Sequence, residues 1–284
     1  GSGMELTGVT WRDENELRTF AVRLAGRGGR RLDDVQPYAE FSIGDSLRCH
    51  IVVPTLAPQG TCLSVRVARR IHRDLASLVV DQPPIAGDVL AAIVRNRRSF
   101  LVTGGTGSGK TTVLRAMLAE VPHAERRVVI EDTAEIFADH PHQVTLQSRG
   151  ANAEGIGEVT LRTLVRQALR MRPDRLVLGE VRGAEIVDLF AAMNSGHEGA
   201  CATLHANAAG DVVARVEALG MMAGLPRDAV AVQFEAAVQI VLHMQRTANG
   251  QRRLAEVGAV RGGRVRRALV IDQDTHHSSA NTSN

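Results

Sequence analysis

The chain has 284 residues, is 44% apolar and 23% charged, and carries a formal net charge of +3, a balance that allows one or two globular domains with a full core. So small a charge gives no argument for nucleic-acid binding, and aromatics at 3% leave few platforms for stacking bases. No apolar run reaches the roughly 18 residues that would span a membrane. The three cysteines, Cys49, Cys62 and Cys201, are scattered without C-x-x-C spacing, so structural thiols in a reduced cytoplasm are expected rather than disulfides or a zinc ribbon.

Gly1-Ser2-Gly3-Met4 reads as a cloning remnant with no signal segment behind it, and a smaller α+β domain is expected over residues 4–82, truncated at its start. Asp13 and Glu16 form a D-x-x-E cap, and Leu17, Phe20, Ala21 and Leu24 share one face of the helix that follows, stopped by Gly26 to Gly29. Strands are expected at 38–43, 47–53 and 62–67, the first two joined by a tight turn at Gly44-Asp45. Alternation puts Leu47, Cys49, Ile51 and Val53 on one side of the second strand and Leu63, Val65 and Val67 on one side of the third. Arg48 and Arg66 then share the opposite face.

Asp81-Gln82-Pro83-Pro84 reads as a linker, and a second domain is expected over 83–271. It opens with a helix at about 86–97, then the strand Ser99 to Thr103 runs into Gly104-Gly105-Thr106-Gly107-Ser108-Gly109-Lys110-Thr111-Thr112. This is G-x-x-x-x-G-K-[ST] with a strand before it and Val113, Leu114, Met117, Leu118 and Val121 at helical spacing after it. Glycines let the backbone turn its N–H groups around an anion, Lys110 suits the β/γ-phosphates, and the Thr111 hydroxyl suits Mg²⁺. Lys110 is the only lysine among 34 basic residues; a compact ammonium fits between phosphates where a planar guanidinium does not. The chain is therefore read as binding a nucleoside triphosphate with Mg²⁺. A guanine-reading N-K-x-D would need a second lysine, which excludes the GTPase switch.

Strands and helices then alternate: strands at 127–130, 143–147, 176–178 and 201–204, helices at 158–171, 184–194, 210–222 and 227–237, and closing strands near 238–244, 254–260 and 265–271. That order predicts an α/β fold with a mostly parallel sheet; residues 272–284 are expected to be a disordered polar tail. Phosphoanhydride hydrolysis needs a carboxylate beside the loop, at carboxyl ends of neighbouring strands. Glu131, Asp132 and Glu135 follow one such strand and Glu180 another. Gly179 stands where an Asp usually ends the second nucleotide motif, leaving Glu180 to approach Mg²⁺ directly or through water. His197 and His205 bracket the strand at 201–204; His140 and His142 lack acidic or Cys partners at ligand spacing, so no metal pair is expected there.

The phosphate loop, Ile130-Glu131-Asp132-Thr133-Ala134-Glu135, the run from Leu169 through Gly179-Glu180-Val181-Arg182-Gly183, and Asn194-Ser195-Gly196-His197-Glu198-Gly199 to Thr203-Leu204-His205-Ala206-Asn207 occur in that order. Together they resemble the Walker A, Asp box, Walker B and His box of the type II/type IV secretion traffic ATPases, over roughly residues 10 to 260. The wording is most like the ATPases of tight-adherence (Tad/Flp) pilus assembly. The resemblance implies a RecA-like P-loop ATPase domain behind the α+β domain, ATP and Mg²⁺ between them, and a cytoplasmic hexamer at the inner face of the membrane. Its partner would be an inner-membrane platform protein through which pilin subunits are driven. By motif it assigns Glu135 as base and Glu180 as Walker B acid, while Glu131 and Asp132 are read from their position as acids that orient their neighbours. It gives His205 and His197 a place near the γ-phosphate, and Arg48 and Arg66 the part of arginines supplied to the phosphates. Two other readings stay open: a conjugation-type or DNA-translocating relative, and a non-hydrolysing ATP-binding regulator, against which Glu135 and Glu180 argue.

Overall fold

The computed structural model describes residues 5–44, 47–67, 75–78, 85–137, 139–151, 156–247 and 249–270. It divides into two compact units, Gly1–Ile71 with Gly150–Glu158, and His72–Arg149 with Val159–Asn284. The expected linker at 81–84, Asp45 of the expected turn and the expected tail at 272–284 lie outside the described residues.

In the first unit, helix α1 (Glu14–Arg27) packs on the antiparallel strands β1 (Tyr38–Ile43), β2 (Leu47–Val52) and β3 (Cys62–Val67), ordered β1-β2-β3. Asp13 caps α1 by accepting from the Glu16 N–H at 2.8 Å, but the Glu16 carboxylate turns back to Arg12 rather than closing the reciprocal half of the box. The Glu14 carboxylate accepts from the Thr61 N–H at 3.0 Å and from its hydroxyl, tying the start of α1 to the start of β3. Ala21, Ala25, Phe41, Cys49, Ile51 and Val53 form the core. The third strand departs from the expected burial: Val65 and Val67 are exposed on β3, an edge strand with one neighbour in the sheet.

The second unit contains α2 (Leu75–Leu78), α3 (Ile85–Arg95), β4 (Phe100–Gly104), α4 (Lys110–Ala119), β5 (Arg127–Glu131), β6 (Gln143–Gln147) and α5 (Leu161–Leu169). These are followed by β7 (Arg175–Val181), α6 (Glu185–Asn194), β8 (Cys201–Leu204), α7 (Val212–Met222), α8 (Arg227–Ala237), β9 (Ile240–Arg246), β10 (Arg252–Arg261) and β11 (Arg264–Val270). Its sheet runs β11-β10-β9-β4-β8-β7-β5-β6, with the six strands from β9 to β6 parallel and β10 and β11 antiparallel at the far side. Helices α3 and α4 bury one face of this sheet, and α5 to α8 the other. The Arg-rich helix is shorter than its expected span: the Thr160 hydroxyl caps α5 by accepting from the Thr163 N–H at 3.2 Å, and Pro173 lies just past its end. β7 is longer than the apolar triplet at its centre, because Arg175 at its start is itself buried, bonded to Glu125 at 2.6 Å and to the Val94 carbonyl at 3.0 Å. Parallel strands deliver their carboxyl ends to one edge of the sheet, where residues far apart in sequence meet.

Candidate functional site

At that edge β4 ends in Gly104 and the chain turns into α4 through the glycine loop. Gly104, Gly107 and Gly109 take φ of 145°, 73° and 99°, conformations that L side chains rarely adopt. A side chain at Gly104 would also strike the Met244 carbonyl and come within 2.6 Å of the Ser108 hydroxyl. That hydroxyl is buried with no partner of its own, an orphan donor inside an anion cradle. The Lys110 ammonium donates to the Gly104 and Gly105 carbonyls at 2.9 Å each, and stands 3.4 Å from His205 Nδ1. Burial pushes it below the ordinary lysine value, with Glu180 opposing the shift.

A chain of polar groups leads away from Lys110. His205, just past the end of β8, presents Nδ1 to the ammonium, which can only donate, so Nδ1 accepts and the proton sits on Nε2. Nε2 then donates to Glu180 Oε1 at 2.7 Å. Burial and the Lys110 charge hold His205 below the usual histidine range, consistent with this neutral tautomer. The other Glu180 oxygen accepts from Arg182 at 2.5 Å, and Arg182 lies 3.8 Å from Asp132. Burial works to raise the Glu180 carboxyl, but Arg182, His205 and Lys110 outweigh it and keep it ionised below the usual range.

Local backbone chemistry aims Glu180. Between β7 and β8 the register slips, Leu178 facing Ala202 and Val181 facing Leu204, so Gly179 and Glu180 together stand opposite Thr203. The Thr203 hydroxyl donates to the Gly179 carbonyl at 2.5 Å and pins this bulge. Gly179 is required by a neighbour: a side chain there would meet the Glu131 Cγ at 2.7 Å. Glu131 occupies the space an Asp at 179 would need. Its carboxylate is buried and accepts the N–H groups of Glu135 and Ile136 at 3.0 Å each, shaping the turn that carries Glu135. Burial pushes its carboxyl up to about 7. The Glu135 side chain lies where its charge is felt by both Arg182 and Arg115.

The structure thus brings Lys110, Glu180, His205, Glu131 and Glu135 to one edge of the sheet, with Thr111 and Thr112 partly buried in the first turn of α4. His197 is engaged elsewhere: its Nδ1 lies 3.2 Å from the Ala192 carbonyl and 3.4 Å from the Ser195 hydroxyl, closing the end of α6. Arg48 and Arg66 lie in the first unit, where they are direct cross-strand partners on one face, with Arg48 also bonded to Glu40 at 2.7 Å. Sequence reading passed over His243, which is buried on β9 with Nδ1 3.0 Å from the Thr103 hydroxyl and a hydrogen bond to the backbone of Asn207. It joins the strand entering the glycine loop to the segment carrying His205. The two partners are about 140 residues apart in sequence, and only the pairing of Thr103 with His243 across β4 and β9 reveals the link.

The family model described as "Type II/IV secretion system protein" matches residues 40–280. The chain belongs to that family. A Mycobacterium tuberculosis protein named for conjugal transfer is 52% identical over 284 residues, covering 96% of this chain and 81% of the relative. The type IV secretion system protein PtlH of Bordetella pertussis is 31% identical over 273 residues, with 86% and 80% covered. Among solved structures, the VirB11 ATPase of the Brucella suis type IV secretion system matches with a TM-score of 0.55 at 26% identity, over 87% of this chain and 83% of that one. The pilus retraction motor PilT matches with a TM-score of 0.60 at 21% identity, over 92% and 71%, a likeness of fold. These secretion-family neighbours share the RecA-like P-loop architecture of the second unit. Among the described residues no helix is long and apolar enough to cross a membrane.

Proposed function

We propose that this chain is a Mg²⁺-dependent ATPase that works as a ring motor for a secretion-type export machine. The observation that carries the reading is the run Lys110–His205–Glu180–Arg182 at the mouth of the glycine loop. The Lys110 ammonium, bonded to the loop's own carbonyls at its mouth, is placed to reach the β- and γ-oxygens of a triphosphate in that loop. The orphan Ser108 hydroxyl, the positive-φ glycines and the ionised Glu180 fit a bound triphosphate with its cation. Thr111 and Glu180 would hold Mg²⁺, which supplies charge neutralisation between the phosphates. Glu135 orients and deprotonates the attacking water, and Glu131 holds the turn that positions it. Neutral His205, bonded to both Lys110 and Glu180, is placed to register whether the γ-phosphate is present. His197 takes part through the segment it caps. Arg48 and Arg66 keep the part the motif resemblance assigns them, arginines supplied to the phosphates, and the domain division is put at 82/83.

The machine is read as a Tad/Flp-type pilus assembly system or a close secretion counterpart, with the ring a hexamer seated peripherally against an inner-membrane platform. Support for the pilus form is the wording of the four motifs. A second reading, a conjugation-type motor, is favoured by the names of the relatives, among them the conjugal transfer protein TrbB of Rhizobium radiobacter at 29% identity. The test is the Mg²⁺-dependent ATPase rate per mole across a wide protein concentration range, with and without DNA. Specific activity that rises steeply with concentration supports sites completed by neighbouring subunits; stimulation by DNA moves the assignment to the conjugation type. Tight ATP binding without turnover overturns the motor and leaves a nucleotide-switched regulator.

A further inference from the structure

Strand β9 runs Leu242, Met244, Arg246 along the face that packs on α4, and β10 returns Arg252, Leu254 along the same face. The register pairs Met244 with Leu254 and Arg246 with Arg252. The first pair is buried in the core beneath α4; the second emerges past its end, where β9 outruns β4, because Gly104 already pairs with Met244. Two like charges are therefore opposed on one face, an arrangement that destabilises a strand pair unless an anion lies between or beside them. Among the described residues neither guanidinium has an acidic partner.

The hairpin tip is held by Thr247, whose N–H donates to the Gln251 carbonyl at 2.9 Å. The Arg252 stem lies along the glycine loop: a Cβ on Gly109 would stand 3.2 Å from Arg252 Cδ and 3.5 Å from its Cβ. Gly109 is the residue from which α4 starts, so this stem crosses the positive end of that helix. A second cation beside Lys110 and a helix N-terminus is complementary to a polyphosphate held in the loop.

We infer that Arg252, backed by Arg246, is a nucleotide-contacting residue whose guanidinium binds the phosphates of the nucleotide in the glycine loop of its own subunit. The inference rests on the nucleotide-binding reading above and adds a further cation, from the β9–β10 hairpin, to those the motifs provide. The arginine closes over the phosphates from the side opposite Glu180 in strand order, since β9 and β8 flank β4 on its two sides. A charge-assisted contact of this kind corresponds to roughly 10-fold or more in affinity.

The test uses the full chain and a fluorescent N-methylanthraniloyl ADP, titrated against wild type, Arg252→Ala, Arg252→Lys, Arg246→Ala and, as an exposed control on β11, Arg264→Ala. Thermal melts without nucleotide separate folding defects from binding defects. Arg252→Ala is expected to raise Kd about 10-fold, with Arg252→Lys between it and wild type and Arg246→Ala a smaller loss. Inorganic tripolyphosphate, as competitor, should lose affinity by the same factor. Arg252→Ala binding within about two-fold of wild type overturns the inference. So does a loss shared by Arg264→Ala, or a loss for the ADP probe with tripolyphosphate unaffected, which would place the guanidinium on the base. If wild type itself fails to bind the probe, the nucleotide reading falls instead.

Discussion

Glu131 uses one buried carboxylate both to hold a turn and to fill the space over a glycine. Its oxygens hold the N–H groups of Glu135 and Ile136, and its Cγ fills the space over Gly179. Burial raises its carboxyl from 4.5 to about 7, against the pull of those two N–H groups. The folded protein thus binds this proton more tightly than the unfolded chain does. The associated stability is fully present below about pH 4.5 and is lost as pH rises through about 7. The shift corresponds to something on the order of 3 kcal/mol. Glu131→Gln keeps an oxygen for the two N–H groups and removes the titration, so its unfolding free energy, measured by denaturant titration across that window, should lose this downward slope. A slope identical to wild type would assign the pH dependence to another group. Lys110, Glu131, Glu135, Glu180 and His205 could be named as candidates because each sits inside a run with fixed spacing. The placement of His243 and Arg252 beside the glycine loop could not, because it depends on which strands lie side by side. The alternation of Met244, Arg246, Arg252 and Leu254 was available as a signal, and needed only the β9–β10 pairing to be read.

Among the elements, the helix pair α7–α8 is governed by one small residue. Gly220 is buried inside α7, and a methyl group there would overlap both γ-methyls of Val230 on α8. In an isolated helix alanine would be favoured over glycine by about 1 kcal/mol. Forcing an extra carbon against a stiff β-branched side chain costs about 1–3 kcal/mol. Packing wins, so Gly220→Ala should lower the melting temperature. Adding Val230→Ala should recover part of the loss, and a double-mutant cycle that came out additive would deny the contact. The regular elements were readable from periodicity and caps: β1, β6, β8 and α8 occupy the residues their patterns mark. The register slip at Gly179–Glu180 was hidden, because the sequence shows a glycine and an acid but not the Thr203 hydroxyl that pins them.

On the scale of the whole molecule, parallel strand order gathers scattered sequence at one edge, and the carboxyl ends of β4, β5, β7 and β8 carry the candidate residues. The α/β class with a mostly parallel sheet followed from the alternation of strands and helices. The grouping of Gly150 and Glu158 with the first compact unit did not follow, since chain order alone does not show which unit a segment joins. One consequence of the single lysine lies outside nucleotide chemistry. A protease that cuts only after lysine has one target in this chain, and would leave residues 1–110 and 111–284. That bond lies at the first residue of α4, and Lys110 is 8% exposed, so cutting requires the helix start to open. The cleavage rate is then a clock for opening of the phosphate loop, read as two bands on a gel, and a nucleotide that closes the loop should slow it.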